Sequence, residues 1–371
     1  HAFHPIAAAW LSGVPSRGRV LVCRATHQSV LRLLTTRAVM APYGATALSN
    51  SQALEVCDAI LADKRIVWAD EPAGLDARFR KWAGSRDAAP KLWMDAYLAA
   101  FGIEGGVVAQ GSPVEAVFTP DDRFVYVSNY KMYGDGFNPV ASDDCNEGDW
   151  DDSYVYKIDT TTFTIVDVIP TGSVPKFMAI SSDGSRLLVS NWCGFDVTVI
   201  DLATDTPLTR IPVGRHPRGI AITADSGTAY VAVMGEAKIV RIDLSSNEVV
   251  GQVGDVGTTP RHLLLSPDGK YLYVSNHRQN LVRKIDLAAN RTVGTASTGT
   301  ETRSMALAED GESLYVVNYQ DGTVSKVRTA DMAILQTLST GVHPVGITYD
   351  PATRQVWVAN YAGSLSVFVD R

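Results

Sequence analysis

The chain has 371 residues, with 33 Lys/Arg against 40 Asp/Glu, a net charge of −7 and four cysteines. That length leaves room for two or more domains, and a hydrophobic share of 46% fits a globular protein rather than a disordered one. No apolar run approaches the roughly 18 residues needed to cross a bilayer, and no Cys/His spacing of the zinc type occurs.

The charge is uneven. Residues 1–104 carry 12 Lys/Arg and 9 Asp/Glu, whereas residues 105–371 carry 21 and 31. An acidic second part argues against nucleic-acid binding over its whole surface. The chain opens on His1, which points to processing or to a piece of a longer reading frame, so a missing signal peptide carries little weight.

The first hundred residues have helical grammar. Gln28–Thr35 is an apolar helical run. Ser49–Leu61 has helical periodicity through Ala53, Leu54, Val56, Ile60 and Leu61, with Ser49 as candidate N-cap. Gly74–Trp82 is a short amphipathic segment. Pro90 opens a further helix that Gly102 ends. Arg19–Cys23 and Arg65–Ala69 read as strands, so helices and strands alternate in a small α/β domain over residues 1–103.

The segments HPIAAAWL, LRLLTTRAVM, LSNSQALEVCDAILADKRI, EPAGLDARFR and PKLWMDAYLAAFG, in that order, resemble PIN-domain ribonucleases of the VapC toxin type. The resemblance implies RNA cleavage with Mg²⁺ or Mn²⁺ held by a cluster of carboxylates. Of the family's four acidic positions only Asp95 is matched. The place of a second falls at Ala25-Thr26-His27-Gln28, which has no carboxylate, and a final strand gives way to Gly105-Gly106-Val107-Val108. The expectation is a truncated, degenerate PIN-like segment, with Asp95 a lone carboxylate.

From residue 104 the grammar changes to six copies of a repeat of about 42 residues. Aligned on a turn position they begin at Pro113, Pro175, Pro217, Pro260, Thr302 and Pro344. Sixteen residues on stand Asn129, Asn191, Val233, Asn276, Asn318 and Asn360. Each copy offers four alternating strands, in the third Gly219–Thr223, Ala229–Val233, Lys238–Asp243 and Glu248–Val253, separated by turns such as Pro267-Asp268-Gly269. A fixed period near 40 residues with several strands per period predicts a β-propeller, here of six blades. The recurrent Asn residues should fix strand ends and the Ile-Asp endings should staple blades. Copy six stops after its third strand, and Gly106–Gly111 matches a fourth strand, so the N-terminal strand is expected to close the last blade.

The phrases LYVSN, LYVVN and VWVAN resemble the YVTN family of β-propeller repeats, over residues 105–371. Members are mostly binding or scaffolding proteins, often exported, and some structural relatives are lactonases or redox enzymes. That resemblance favours an extracytoplasmic place, whereas the VapC resemblance implies the cytoplasm.

In a propeller the fourth-to-first and second-to-third connections share one face. The residues after the turn positions are Val114, Lys176, Arg218, Arg261, Arg303 and Val345, with His216, His262 and His343 beside them. Four basic residues on one face would attract an anionic small molecule or an acidic protein; alternatively the repeat simply tolerates Arg there and pairs it locally. Copy one carries an extra segment, 131–152, whose Asp144, Asp149 and Asp151 could bind Ca²⁺, although the spacing is not that of a D-x-D-x-D-G loop. Cys145 in it and Cys193 in the next copy fall on the same face and form a disulfide candidate. The expected function is a non-enzymatic binding protein or scaffold with no cofactor. A PIN-type ribonuclease acting on RNA and a propeller hydrolase or lactonase are the alternatives, although no G-x-S-x-G or P-loop occurs.

Overall fold

A computed structural model describes residues 20–22, 27, 30–31, 33–40, 46–62, 66–68, 110–133, 145, 152–162 and 164–370. The chain forms two compact units, His1–Ser112 with Met132–Gly136, and Pro113–Lys131 with Phe137–Arg371.

In the first unit the strands Val20–Val22 and Ile66–Trp68 pair in parallel. The helix Asn50–Leu61 starts where the sequence predicts. The Ser49 hydroxyl accepts from the Gln52 amide, and the Gln52 side chain accepts in return from the Ser49 amide, which closes a capping box. The helix buries Ala53, Leu54 and Cys57. Val56 and Ile60, expected on the same apolar face, are exposed.

The second unit is a six-bladed β-propeller. Its blades span 110–173, 175–212, 217–253, 260–297, 302–339 and 344–369. Each is an antiparallel meander in which sequential strands are neighbours. The first five have four strands. The described last blade has three, Pro344–Asp350, Gln355–Asn360 and Ser364–Val369. Of the segment expected to complete it, Gln110 and Gly111 lie in the first strand of blade one, and residues 106–109 fall outside the described residues.

Period-two alternation gives each blade two apolar faces, and from blade one to blade six each junction is sealed by the next blade, whereas Leu365 on the outer face of blade six is 65% exposed. Leu188, Val197 and Val199 of blade two pack on Ile220, Ala229 and Val231 of blade three. Innermost strands approach so closely that a Cβ on Gly219 would stand 2.6 Å from the Arg261 carbonyl oxygen. Buried Asn residues tie down the strand ends: Asn191 donates to Asp196 and Thr198, and Asn318 to Thr323 and Ser325.

The Ile-Asp endings do something other than staple blades. Asp159, Asp201 and Asp243 each accept from two backbone amides in their own hairpin turn. The staple is a different carboxylate. Asp205 of blade two accepts from Tyr126 Oη (2.8 Å) and Lys157 Nζ (2.6 Å) of blade one, and Asp370 takes Lys326 of blade five in the same way. Replacing Asp205 by Ala leaves a mostly buried ammonium unpaired. Asp205→Ala should therefore destabilise the propeller by about 3 kcal/mol, measured by urea unfolding.

Candidate basic channel mouth

Lys176, Arg218, Arg261 and Arg303 occupy the same register point in four consecutive blades. Each is the second residue of an innermost strand, just after Pro175, Pro217, Pro260 or Thr302, and each of those four residues pairs with the end of the second strand. The residue before each turn position is left-handed: Val174, His216, Thr259 and Glu301 all have φ between 49° and 58°. This tight entry fixes where the basic side chains leave the backbone. The structure brings the three arginines within electrostatic range. Arg261 is largely buried, and burial, then the like charges of Arg218 and Arg303, disfavour its charged form. A guanidinium stays protonated regardless, so that cost is relieved by an anion and not by proton loss.

Two carboxylates answer the arginines, and sequence reasoning missed both. Glu301 accepts from Arg303 at 3.2 Å and stands 4.0 Å from His277 Nε2. Glu115 is enclosed near Arg218 and Arg261; burial pushes its carboxyl up to about 7, against the pull of the two arginines. The signal for Glu115 was available. At the next register position the copies read Glu115, Phe177, Gly219, His262, Ser304 and Gly346, with Glu115 the one acid among them.

The three histidines each make a defined contact within the propeller. His262 lies inside the channel, where its Nδ1 accepts from the Met305 amide and its ring meets Phe177 of blade two edge-on at 5.2 Å. Burial, then Arg218 and Arg261, push it down to about 3, so it is neutral. The contact joins non-adjacent blades across the channel, which makes the basic mouth a bowl over a plug. His216 stacks on Trp192 at 4.4 Å with its Nε2 buried, and His343 stacks on Tyr319 at 4.5 Å. Arg303 lies over Tyr319, 3.2 Å from the ring centroid.

Cys145 and Cys193 are joined in a disulfide with Cα atoms 5.3 Å apart. Cys193 follows Trp192, so the extra segment of copy one is anchored at the end of the propeller that carries His216 and Lys176. Asp95, Asp144, Asp149 and Asp151 lie outside the described residues. Among the described residues no group of three or more His, Cys, Asp or Glu could hold a metal ion, and no helix is long and apolar enough to cross a membrane.

Comparison with known proteins agrees with this division. The sequence profile of the YNCE-like β-propeller family matches residues 149–228, and that of the cytochrome D1 heme domain matches residues 224–361. Ribonuclease VapC41 of Mycobacterium tuberculosis is 49% identical over 107 residues, which cover 29% of this chain and 73% of that protein. The chain joins a VapC-family segment to a β-propeller, part of which matches the YNCE-like family. Two solved structures share the propeller fold. The periplasmic gluconolactonase of Pseudomonas aeruginosa has a TM-score of 0.56 and 21% identity, covering 70% of this chain and 81% of that one. Hydrazine synthase of Kuenenia stuttgartiensis has a TM-score of 0.50 and 19% identity, covering 70% and 96%.

The heme in one profile's name calls for an axial donor with a free edge at the YNCE-like propeller's mouth. His262 is enclosed and accepting, and His216 Nε2 and His277 Nδ1 are buried. These residues do not present such a donor.

Glu115 gives a pH test. Its carboxyl is raised from 4.5 to about 7 in the folded protein, so the folded state holds the proton more tightly. That contribution is complete below pH 4.5 and is lost as pH rises through 7. Glu115→Gln should match the wild type in stability near pH 4 and exceed it at pH 8, by up to about 3 kcal/mol. Thermal unfolding across this range measures the difference.

Proposed function

We propose that the propeller is a binding module that takes an anionic ligand in the basic bowl. Arg218, Arg261 and Arg303 are the contact residues and Lys176 is a supporting charge. The observation that carries this reading is the gathering of three guanidiniums in one partly desolvated place. Fixed forks of this kind suit carboxylate or phosphate oxygens. The plug of Phe177 and His262 keeps the ligand at the mouth. The gluconolactonase likeness, at 21% identity, speaks for the fold alone.

Isothermal titration with citrate and with inorganic phosphate tests the reading. Binding should weaken about tenfold in Arg261→Gln, about 1.4 kcal/mol, and weaken further with added salt. It should tighten in Glu115→Gln at pH 8, where the wild-type carboxylate is ionised and acts as an internal competitor. Equal affinity in wild type and Arg261→Gln would refute the site.

The VapC-family segment supports a second reading, a metal-dependent ribonuclease. That activity needs several carboxylates converging on a cation, and only Asp95 matches the family's acidic positions. The whole chain incubated with RNA and Mn²⁺ should leave the RNA intact. Cleavage that disappears in Asp95→Asn would establish the nuclease instead.

A further inference from the structure

Charged side chains at the mouth are mostly answered by a partner. Glu301 accepts from Arg303 at 3.2 Å, and Glu236 takes Lys238 Nζ at 2.7 Å and the Arg215 amide at 2.8 Å. Arg261 and Glu115 differ. Both are enclosed and lie within electrostatic range of each other, yet neither side chain makes a hydrogen bond to a described residue. Buried polar groups in folded proteins normally have such a partner. Arg218 brings a second guanidinium into range of the same carboxyl. The two unanswered groups thus share one space with opposite chemistry: Arg261 offers only donors and ionised Glu115 only acceptors. His262 adds no charge there. Its Nδ1 accepts from the Met305 amide, so the neutral ring carries its proton on Nε2.

A simple anion satisfies only half of this arrangement. Its oxygens take the Arg261 fork, but they also approach the Glu115 carboxylate, which repels them. A ligand with a hydroxyl beside its carboxylate satisfies both groups: the carboxylate accepts from Arg261 and the hydroxyl donates to Glu115. We infer, resting on the anion-binding reading above, that the bowl selects a small hydroxy acid, with Arg218 and Arg261 holding its carboxylate and Glu115 accepting from its hydroxyl as the specificity-determining residue. An ammonium would also donate to Glu115. It would enter a site where Lys176, Arg218, Arg261 and Arg303 outnumber Glu115 and Glu301, and that excess of positive charge disfavours a cation. The contact of Phe177 with His262 closes the channel beneath, which suits a compact ligand.

Isothermal titration of the whole chain with malate, succinate and aspartate tests this. These dicarboxylates differ at one carbon, which bears a hydroxyl in malate, hydrogen alone in succinate and an ammonium in aspartate. The measurement is made at pH 8, where the Glu115 carboxyl, raised to about 7, is mostly ionised. The preferred enantiomer of malate should bind about tenfold more tightly than succinate, because succinate leaves the enclosed acceptor without a donor. Aspartate should bind no better than succinate. In Glu115→Leu, succinate should gain affinity and the preference for malate should vanish. Equal binding of malate and succinate to the wild type overturns this inference and leaves the anion site standing. A malate preference that survives in Glu115→Leu, or aspartate binding more tightly than malate, overturns it as well. If none of the three binds while phosphate does, the hydroxy acid is refuted and the anion site is kept; if phosphate and citrate also fail, both readings fall. Should Glu115→Leu not fold, Glu115→Gln decides. Its amide oxygen accepts a weaker, uncharged bond, so the preference should shrink, and an unchanged preference overturns the inference.

Discussion

Everything in the propeller follows from one constraint: a blade cannot bury its own apolar faces. Strict alternation gives each four-stranded meander two apolar sides, and only the neighbouring blades can cover them. The seal between blades is therefore both the main source of stability and the device that sets geometry. It draws the innermost strands so close that Gly219 has no room for a methyl group beside the Arg261 carbonyl. It also places the start of every innermost strand at the same height around the axis.

The basic bowl is a by-product of that register. Nothing in the electrostatics of three arginines favours their meeting; burial and mutual repulsion both oppose it at Arg261. They meet because packing places their backbones, and the stability of the blades outweighs the cost. Site and scaffold are coupled in this sense: the repulsion is held in the folded protein, and an anion bound there, as proposed, would relieve it. Glu115 moderates the same field from within, and its raised pKa reflects burial prevailing over two attractive neighbours.

Much of this was legible in the sequence, because periodicity reports directly on which face of a strand is buried. The blade count, the strand boundaries, the Ser49 cap and the common height of Lys176, Arg218, Arg261 and Arg303 all follow from spacing. Contacts between blades were not legible. Asp205 sits in a turn that the repeat alignment passes over, yet it holds Tyr126 and Lys157 of the preceding blade. His262 looked like a mouth residue, since it adjoins Arg261, but neighbouring residues on a strand point to opposite sides and it turns into the channel. Alignment also equates Asp370 with Asp201, whereas the strand register puts Val369 opposite Gln355 and Asp201 opposite Arg186. A shorter connection after Asn360 shifts the frame by one residue, which frees Asp370 to bond Lys326.

The acidic net charge of the repeat region says little about the mouth, because many of its carboxylates are taken up in turns at the other end. The carboxylates recur in the connections between first and second strands and between third and fourth strands. There they accept hydrogen bonds from turn hydroxyls and amides, as Asp183 does from Ser181 and Asp268 from Ser266; both are held down at about 2. They are spent on turns and stay ionised for that reason. The arginines belong to the connections at the other end. At that end Glu115 and Glu301 answer the three arginines, so the field an approaching anion meets is set locally at the mouth and not by the net charge of the ring.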